Sequence, residues 1–380
     1  MVELQGRLDR LNETMLELKR EHTAKLDQIL HMLGHEEEYG ERASGTDAES
    51  RQDSVTFPTQ APVLKKGKAI LLIGGQSPSL TRDILAIYPS TNTIEKFSAS
   101  LRDGREHHVA GQYRGRIMVA GGRTSTEGDT KKTEIYHPGT NRFTSGPQLR
   151  EKRYKAGGDV AGSRFFVCGG VHDGGRSRRA FLYSSCGSKR SCEYFDFEKP
   201  ADGWISNRNL RLPIALSSSA MLADGTDLYV IGGWQGNNGV KNVYKLDTAY
   251  ANARWTRLAS MNERRSGASA VLVTSTEGDK SILVCGGWKS DQYLKSCELY
   301  SIEENRWRNL VGTTLQNKKE HFGMANFDGR VFAMGGRDRR GFAKHDGIQE
   351  YDTRDQRWSA ARGLPKLPQA MAGFATVLLE

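Results

Sequence analysis

The chain has 380 residues, of which 37% are hydrophobic and 26% are charged, so most of it can form a packed core. Glycine is abundant, with 42 residues against 10 prolines, which indicates many tight turns rather than a proline-rich disordered chain. No run of 18 apolar residues occurs, and the first residues mix acidic and basic side chains without an apolar stretch. We therefore expect neither a transmembrane helix nor a secretory signal.

The charge is distributed unevenly along the chain. Residues 1–62 contain 7 Lys+Arg and 13 Asp+Glu, which leaves 48 basic and 32 acidic residues for 63–380. A region with this excess of positive charge attracts acidic partners. Charge alone does not choose between peptides, filaments, nucleic acids and membrane surfaces.

The N-terminal segment has a heptad pattern of apolar residues, formed by Leu4, Leu8, Leu11, Met15 and Leu18. This pattern predicts a helix over residues 1–35 that forms a short coiled coil, so residues 4–33 are a candidate homo-oligomer interface. Docking of the same apolar stripe on the chain's own globular domain is the alternative. Residues 36–62 are acidic and aperiodic, which predicts a flexible linker.

The remainder of the chain is a repeat. A diglycine follows a short apolar strand six times, at 74–75, 121–122, 169–170, 232–233, 286–287 and 335–336. The next strand in each unit carries one of the aromatics Tyr88, Tyr136, Phe195, Tyr244, Tyr300 and Tyr351, preceded two positions earlier by glutamate in three units (Glu134, Glu193, Glu298). A second aromatic closes most units, at Phe143, Trp204, Trp255, Trp307 and Trp358.

These coordinated landmarks, with a period of roughly 50 residues, resemble kelch repeats. The resemblance covers residues 63–380 and implies an all-β fold, a β-propeller of four-stranded blades. Only one strand fits before the first diglycine, whereas an unassigned apolar strand, 372–379, ends the chain. We therefore predict a six-bladed kelch β-propeller, closed by the C-terminal strand and preceded by the N-terminal α-helix.

No catalytic or metal-binding pattern is evident. The five cysteines form no C-x-x-C pair, and the nine histidines are scattered without metal-ligand spacing, so we expect free thiols in a cytoplasmic protein without a cofactor. Some kelch-family enzymes carry an iron site, whose motif is absent, or a copper–Tyr–Cys site, which the sequence leaves open. We expect a protein that is not an enzyme.

The resemblance also implies that one end of the propeller channel binds ligands. Counting from the diglycines places cations, histidines and tryptophans there: Arg123, Lys155, Arg265, Arg337, His107, His321, Trp234 and Trp288. Guanidinium groups bind carboxylates and indole rings cover apolar side chains, which predicts an acidic peptide or protein segment as the ligand. On this view Arg265→Ala weakens ligand binding without lowering the melting temperature. The basic loops 171–190, with Cys186, and 337–347 are expected at the same end.

Three functional hypotheses follow. The first is a protein-interaction scaffold made multivalent by the coiled coil. The second is a substrate-recognition subunit of a cullin-type ubiquitin ligase, although we recognise no BTB, BACK or F-box domain. The third is an actin-binding cross-linker, which the kelch resemblance allows. Nucleic acid ranks low as a partner because no base-stacking motif is present, and no membrane contact is expected.

Overall fold

The computed structural model describes residues 67–172, 187–275, 277–290, 292–338 and 343–379. These ranges contain β-strands and three short 3-10 turns, at Pro138–Thr140, Pro200–Asp202 and Arg208–Leu210, but no α-helix. The predicted all-β class is therefore confirmed for this part of the chain. The predicted helix 1–35 and linker 36–62 lie outside the described residues. Within the same ranges, no helix has the length and apolar character needed to cross a membrane.

Within the described ranges, six four-stranded antiparallel sheets follow one another. Sheet 1 contains β1 (Ala69–Ile73), β2 (Ile84–Tyr88), β3 (Thr93–Lys96) and β33 (Ala375–Leu379). Sheet 2 contains β5 (Val109–Tyr113), β6 (Arg116–Ala120), β9 (Thr133–His137) and β10 (Arg142–Ser145). Sheet 3 contains β11 (Gly157–Ala161), β12 (Arg164–Cys168), β13 (Cys192–Asp196) and β14 (Trp204–Ile205).

The second half repeats this order. Sheet 4 contains β15 (Ala220–Asp224), β16 (Asp227–Ile231), β19 (Val243–Asp247) and β20 (Thr256–Arg257). Sheet 5 contains β21 (Ser269–Thr274), β22 (Lys280–Cys285), β25 (Ser296–Ser301) and β26 (Arg306–Thr314). Sheet 6 contains β27 (Gly323–Phe327), β28 (Arg330–Met334), β31 (Ile348–Asp352) and β32 (Arg357–Ala360).

Short two-residue strands follow four of the diglycines. After the diglycine of sheet 2, β7 (Arg123–Thr124) pairs with β8 (Gly128–Asp129) and with β4 (Arg105–Glu106), which precedes sheet 2. The other three ribbons are two-stranded: β17 (Trp234–Gln235) with β18 (Asn238–Gly239), β23 (Trp288–Lys289) with β24 (Gln292–Tyr293), and β29 (Arg337–Asp338) with β30 (Ala343–Lys344). Separate backbone bridges hold the residue that follows each diglycine beside the entry to a sheet.

The two ends of the repeat region pair with each other. Strand β33 lies antiparallel to β1, with Ala69 opposite Leu379 and Ile73 opposite Ala375, so the C-terminal strand is the first strand of sheet 1. The first strands contact one another in the order β33, β5, β11, β15, β21, β27 and again β33. This cycle leaves no free inner edge among the six sheets.

An apolar cluster lies between each pair of neighbouring sheets, six clusters in all within the described residues. Strand β1 shows how one strand serves two of them, because successive side chains point to opposite faces. Leu71 and Ile73 pack towards sheet 2, whereas Ile70 and Leu72 pack towards sheet 6. Burial on both faces explains the continuous apolar runs that precede the diglycines.

In four of the six sheets the repeated aromatics form cross-strand pairs between the third and fourth strands. Ring centroids are 5.0 Å apart for Tyr300 and Trp307, and 5.2 Å apart for Tyr351 and Trp358. Tyr300 and Trp307 are seven residues apart in the sequence, as are Tyr351 and Trp358. In each case a short turn between the two strands brings the rings opposite each other.

The diglycines end the second strand of each sheet in left-handed backbone conformations. Gly121 has φ +66°, and a Cβ atom there would lie 2.7 Å from the carbonyl oxygen of Arg153. The glycine is required at this point because the loop entering the next sheet passes directly over it.

The expectation of free thiols is wrong for four of the five cysteines in this structure. Cys168 is bonded to Cys192, and Cys285 to Cys297, in both cases between directly opposed residues of the second and third strands. Cys186 lies outside the described residues.

Candidate functional site

The candidate site is built on a closed ring of backbone hydrogen bonds. In each sheet, one residue just before the first strand donates its backbone N–H to the carbonyl oxygen of the equivalent residue of the preceding sheet. The N–O distances are 2.7–3.1 Å. We call these six residues the neck ring: Gly373, His107, Lys155, Ser218, Gly267 and His321. All six have positive φ, between 51° and 68°.

A second tier of residues lies beside the neck ring. Each residue that follows a diglycine pairs with the residue that precedes a neck-ring residue: Gln76 with Ala372, Arg123 with Glu106, Val171 with Tyr154, Trp234 with Ser217, Trp288 with Ser266, and Arg337 with Glu320. We call the neck ring and this tier together the mouth. The mouth contains seven of the eight residues predicted from the sequence.

Histidine and tyrosine side chains pack together in the mouth. The ring centroids of His107 and His321 are 4.2 Å apart, and those of His107 and Tyr154 are 5.1 Å apart. The guanidinium carbon of Arg123 lies 4.4 Å from the centre of the Tyr154 ring, and Lys155 Nζ lies 5.3 Å from it. The mouth thus brings together side chains from sheets 2, 3 and 6.

Carboxylates that the sequence analysis did not identify accompany these cations. Asp129 lies 2.8 Å from Arg123, and Glu320 lies 3.2 Å from Arg337. Glu106 Oε2 lies 3.8 Å from His107 Nε2, and Glu320 Oε2 lies 3.7 Å from His321 Nε2. The mouth therefore holds three cations, Arg123, Lys155 and Arg337. It also holds three carboxylates, Glu106, Asp129 and Glu320. The positive and negative charges are equal in number when both histidines are neutral.

The protonation equilibria reflect burial and the neighbouring cations. Burial, followed by the charges of His321 and Arg337, holds the pKa of His107 well below its usual value. Burial and Arg337 likewise lower the pKa of His321. Burial and Arg337 lower the pKa of Lys155 to about 8. Both histidines are consequently neutral at pH 7, and one more positive charge in the mouth is unfavourable.

The two tryptophans occupy another sector of the mouth. Trp234 and Trp288 stack on each other with their centroids 4.8 Å apart and an interplanar angle of 25°, and both are partly exposed. Their backbones are held beside Ser217 and Ser266, which precede the neck-ring residues Ser218 and Gly267. The mouth therefore has an aromatic sector at sheets 4 and 5 and a charged sector at sheets 6, 2 and 3.

Arg265 does not belong to the mouth, and its predicted role in ligand binding is wrong. Its side chain is 0% exposed and donates from Nε to Glu298 Oε1 at 3.0 Å. Its Nη1 also donates to the carbonyl oxygens of Gly286 and Ser296. Removing Arg265 would leave the buried Glu298 without its counter-charge, so we now expect Arg265→Ala to lower the melting temperature rather than leave it unchanged.

Arg265 is one of three buried arginines in equivalent positions. Arg153 donates from Nε to Glu193 at 2.9 Å and from Nη1 to Gly169 at 2.7 Å, and Arg105 pairs with Glu134. The three glutamates of these pairs are those already noted in the sequence, each two positions before the aromatic residue of the third strand. The matching arginine lies two residues before a neck-ring residue, a relation that becomes visible only once that ring is known.

Two of the loops expected at the mouth lie partly outside the described residues. These are positions 173–186 of the loop 171–190 and positions 339–342 of the loop 337–347. Within the described ranges, no group of three or more His, Cys, Asp or Glu side chains is arranged to hold a metal ion.

Comparison with known proteins identifies the repeats. The Kelch motif profile matches residues 215–262 and 264–312, which form most of sheets 4 and 5. Beta-scruin of Limulus polyphemus is 24% identical over 336 residues, which cover 82% of this chain and 34% of that protein. Kelch-like protein 25 of Xenopus tropicalis is 22% identical over 245 residues, covering 62% of this chain and 38% of that protein.

A Kelch repeat and BTB domain-containing protein of Caenorhabditis elegans is 26% identical over 125 residues, which cover 33% of this chain and 21% of that protein. This chain thus covers well under two thirds of the length of each of these relatives.

Proposed function

Because this chain carries kelch repeats, we propose that it is a non-enzymatic protein-interaction module whose six sheets are the blades of a six-bladed propeller. The cyclic order of the sheets and the pairing of β33 with β1 support this architecture. The Kelch-like relatives support an interaction role. We keep the cytoplasmic location expected from the sequence as a proposal, although the two disulfides oppose it because such bonds are rare in reducing compartments.

The mouth is the proposed binding site for an extended segment of a partner protein. One observation carries this proposal: the aromatic sector, with Trp234 and Trp288 partly exposed, adjoins a charged sector that contains Lys155 and Arg337. A segment that presents an apolar side chain beside an aspartate or glutamate matches both sectors. The carboxylate pairs with the cations, and the apolar side chain covers the indole rings.

Binding assays with variants in each sector test this site. Trp288→Ala and Arg337→Gln are each expected to weaken the binding of a decaglutamate peptide bearing two tryptophans by at least tenfold. Arg264→Gln is the matched control because Arg264 is exposed and lies outside the mouth. Equal affinities for all three variants and the unmodified protein would contradict the assignment of the mouth.

We further propose that residues 4–33 associate and make the module multivalent. The heptad pattern of Leu4, Leu8, Leu11, Met15 and Leu18 supports this step. Light scattering of the full chain should then give a multiple of the 42.2 kDa monomer mass. Leu11→Glu with Met15→Glu should return it to the monomer, whereas a monomeric unmodified chain would contradict the proposal.

A ubiquitin-ligase adaptor is the second candidate. It is supported by relatives whose names combine kelch repeats with other domains, such as the BTB protein of Caenorhabditis elegans and a RING finger protein of Dictyostelium discoideum. Association of the full chain with a purified cullin would favour this candidate over a scaffold. An actin cross-linker is the third candidate, and the absence of co-sedimentation with filaments at low salt would remove it.

A further inference from the structure

We propose that the neck ring receives one carboxylate of the ligand and that the His107–His321 pair takes up a proton as it binds. This inference rests on the proposed function and adds a regulation of the same site. Its consequence is an affinity for acidic segments that rises as the pH falls. The argument starts from the histidine side chains rather than from the surface charge of the protein.

His107 has an unused hydrogen-bonding atom in the neck. Its Nε2 is buried without a hydrogen-bond partner, and its side chain is only 3% exposed. The His321 ring packs against the His107 ring with centroids 4.2 Å apart. A buried polar atom without a partner is uncommon in folded proteins, so Nε2 is a candidate contact for a ligand.

The backbone of the neck ring shows that the histidines are not needed for its closure. Gly267 and Gly373 occupy equivalent left-handed positions and complete the same hydrogen-bond cycle. Glycine adopts this conformation at the lowest cost, whereas His107 and His321 are held there with unfavourable φ values of 51°. Non-glycine residues held in left-handed backbone conformations are often found at sites that bind ligands.

The surrounding charges determine whether the two histidines bind a proton. Arg337 and Lys155 oppose a positive charge on both histidines, and His108 adds to this effect at His107. Glu106 and Glu320 are the carboxylates nearest to the two rings, and Tyr154 packs against His107. A ligand carboxylate that pairs with Arg337 and Lys155 removes the opposition, so a solvent proton can bind to one imidazole of the pair.

Titration calorimetry of the full chain with a decaglutamate peptide tests this coupling. Measurements at pH 6.5 in PIPES and in imidazole, which both buffer at this pH but differ in ionisation enthalpy, give the number of protons taken up. We expect close to one proton per peptide and an affinity that rises towards tenfold per unit decrease in pH between 7.5 and 5.5. Decaglutamine is the uncharged control peptide.

Asparagine replacements keep the test independent of folding because asparagine tolerates left-handed backbone better than most residues. His107→Asn and His321→Asn should each reduce the proton uptake, and the double variant should abolish it. His137→Asn, at a histidine outside the mouth, is the control and should leave the proton uptake unchanged. Peptide binding with no proton uptake, or with uptake that survives in the double variant, would overturn the inference and leave the proposed function intact. No binding of decaglutamate at any pH would instead overturn the acidic-segment proposal, and this inference with it.

Discussion

Sheets 5 and 6 place different side chains at the same buried position beneath the mouth. In sheet 5, Arg265 pairs with Glu298, and the carboxylate also accepts the backbone N–H of Asn262 at 2.6 Å. In sheet 6, Lys319 replaces the arginine, and Gln349 replaces the glutamate while accepting the N–H of Gln316 at 2.9 Å. The backbone arrangement is the same in both, so the comparison isolates the chemistry of the pair.

In sheet 6 the buried ammonium group of Lys319 lies 5.7 Å from the centre of the Phe322 ring, in place of the arginine–carboxylate pair of sheet 5. Lys319 Nζ has no hydrogen-bond partner, and burial lowers the pKa of Lys319 to about 8. The arginine of sheet 5 fills the same space with donors to two carbonyl oxygens and a carboxylate. A second difference lies directly beside the pair, where the disulfide Cys285–Cys297 of sheet 5 is replaced by Met334 opposite Ile348.

The largest effect is expected from breaking the sheet 5 pair. Arg265→Ala leaves Glu298 buried without its counter-charge and should lower the free energy of unfolding by about 3–5 kcal/mol. Urea denaturation measures this loss. Arg264→Ala, one residue earlier on an exposed side chain, is the control and should change stability by less than about 0.5 kcal/mol. Equal effects of the two substitutions would contradict the structural role of Arg265.

Removing the disulfides should have the next largest effect. The bonds close segments with sequence separations of 24 and 12 residues, so each should contribute about 3 kcal/mol to stability. Peptide mapping without reductant should recover Cys168 with Cys192 and Cys285 with Cys297. Adding reductant should lower the melting temperature of the unmodified chain but not that of a variant with all four cysteines replaced by serine. Recovery of four free thiols would contradict the pairing and would agree with the proposed cytoplasmic location.

The buried Lys319 of sheet 6 predicts a pH dependence of stability. The folded-state pKa of Lys319 is lowered to about 8, so the unfolded chain binds more protons between pH 8 and the ordinary lysine value. Stability should therefore rise over this interval, by at most about 3 kcal/mol from this group. Lys319→Met should remove this part of the rise, whereas Lys318→Met, an exposed neighbour, should retain it. Identical profiles for both variants would show that Lys319 is not the responsible group.

The smallest effect is expected from giving sheet 6 the carboxylate that sheet 5 has. Gln349→Glu keeps an acceptor for the N–H of Gln316 and adds a counter-charge for Lys319, so stability at pH 7 should increase by about 1–2 kcal/mol. Gln316→Glu adds the same charge at an exposed position and is the control. A loss of stability in Gln349→Glu would show that Lys319 does not reach this side chain.

The repeat landmarks predicted much of the fold because they arise from local constraints. The pairing of Tyr351 with Trp358 follows from one turn between adjacent strands, and the glycine at Gly121 follows from one close backbone contact. The C-terminal strand was also assigned correctly to β1, because an unmatched apolar strand remained at each end of the repeat. Each of these features is visible within a single repeat or at its boundary.

The candidate site was predicted less completely, and the reason is electrostatic. Arg265 and Arg337 look alike in sequence, as arginines beside a diglycine or a neck-ring position. Glu298, which buries Arg265, stands 33 residues away along the chain, and Glu320, which pairs with Arg337 in the mouth, stands 17 residues away. The environment of each arginine therefore depends on contacts between strands that sequence spacing did not reveal.

The sequence by itself determined the strands, their order and the candidate residues around the mouth, because strand periodicity, glycine turns and aromatic spacing are short-range properties. Only the tertiary structure decided which cations face the mouth, which are buried with a carboxylate, and which cysteines are bonded. Those outcomes depend on distances between groups from different strands, and the energy of a charge changes strongly with its distance from a counter-charge and from water.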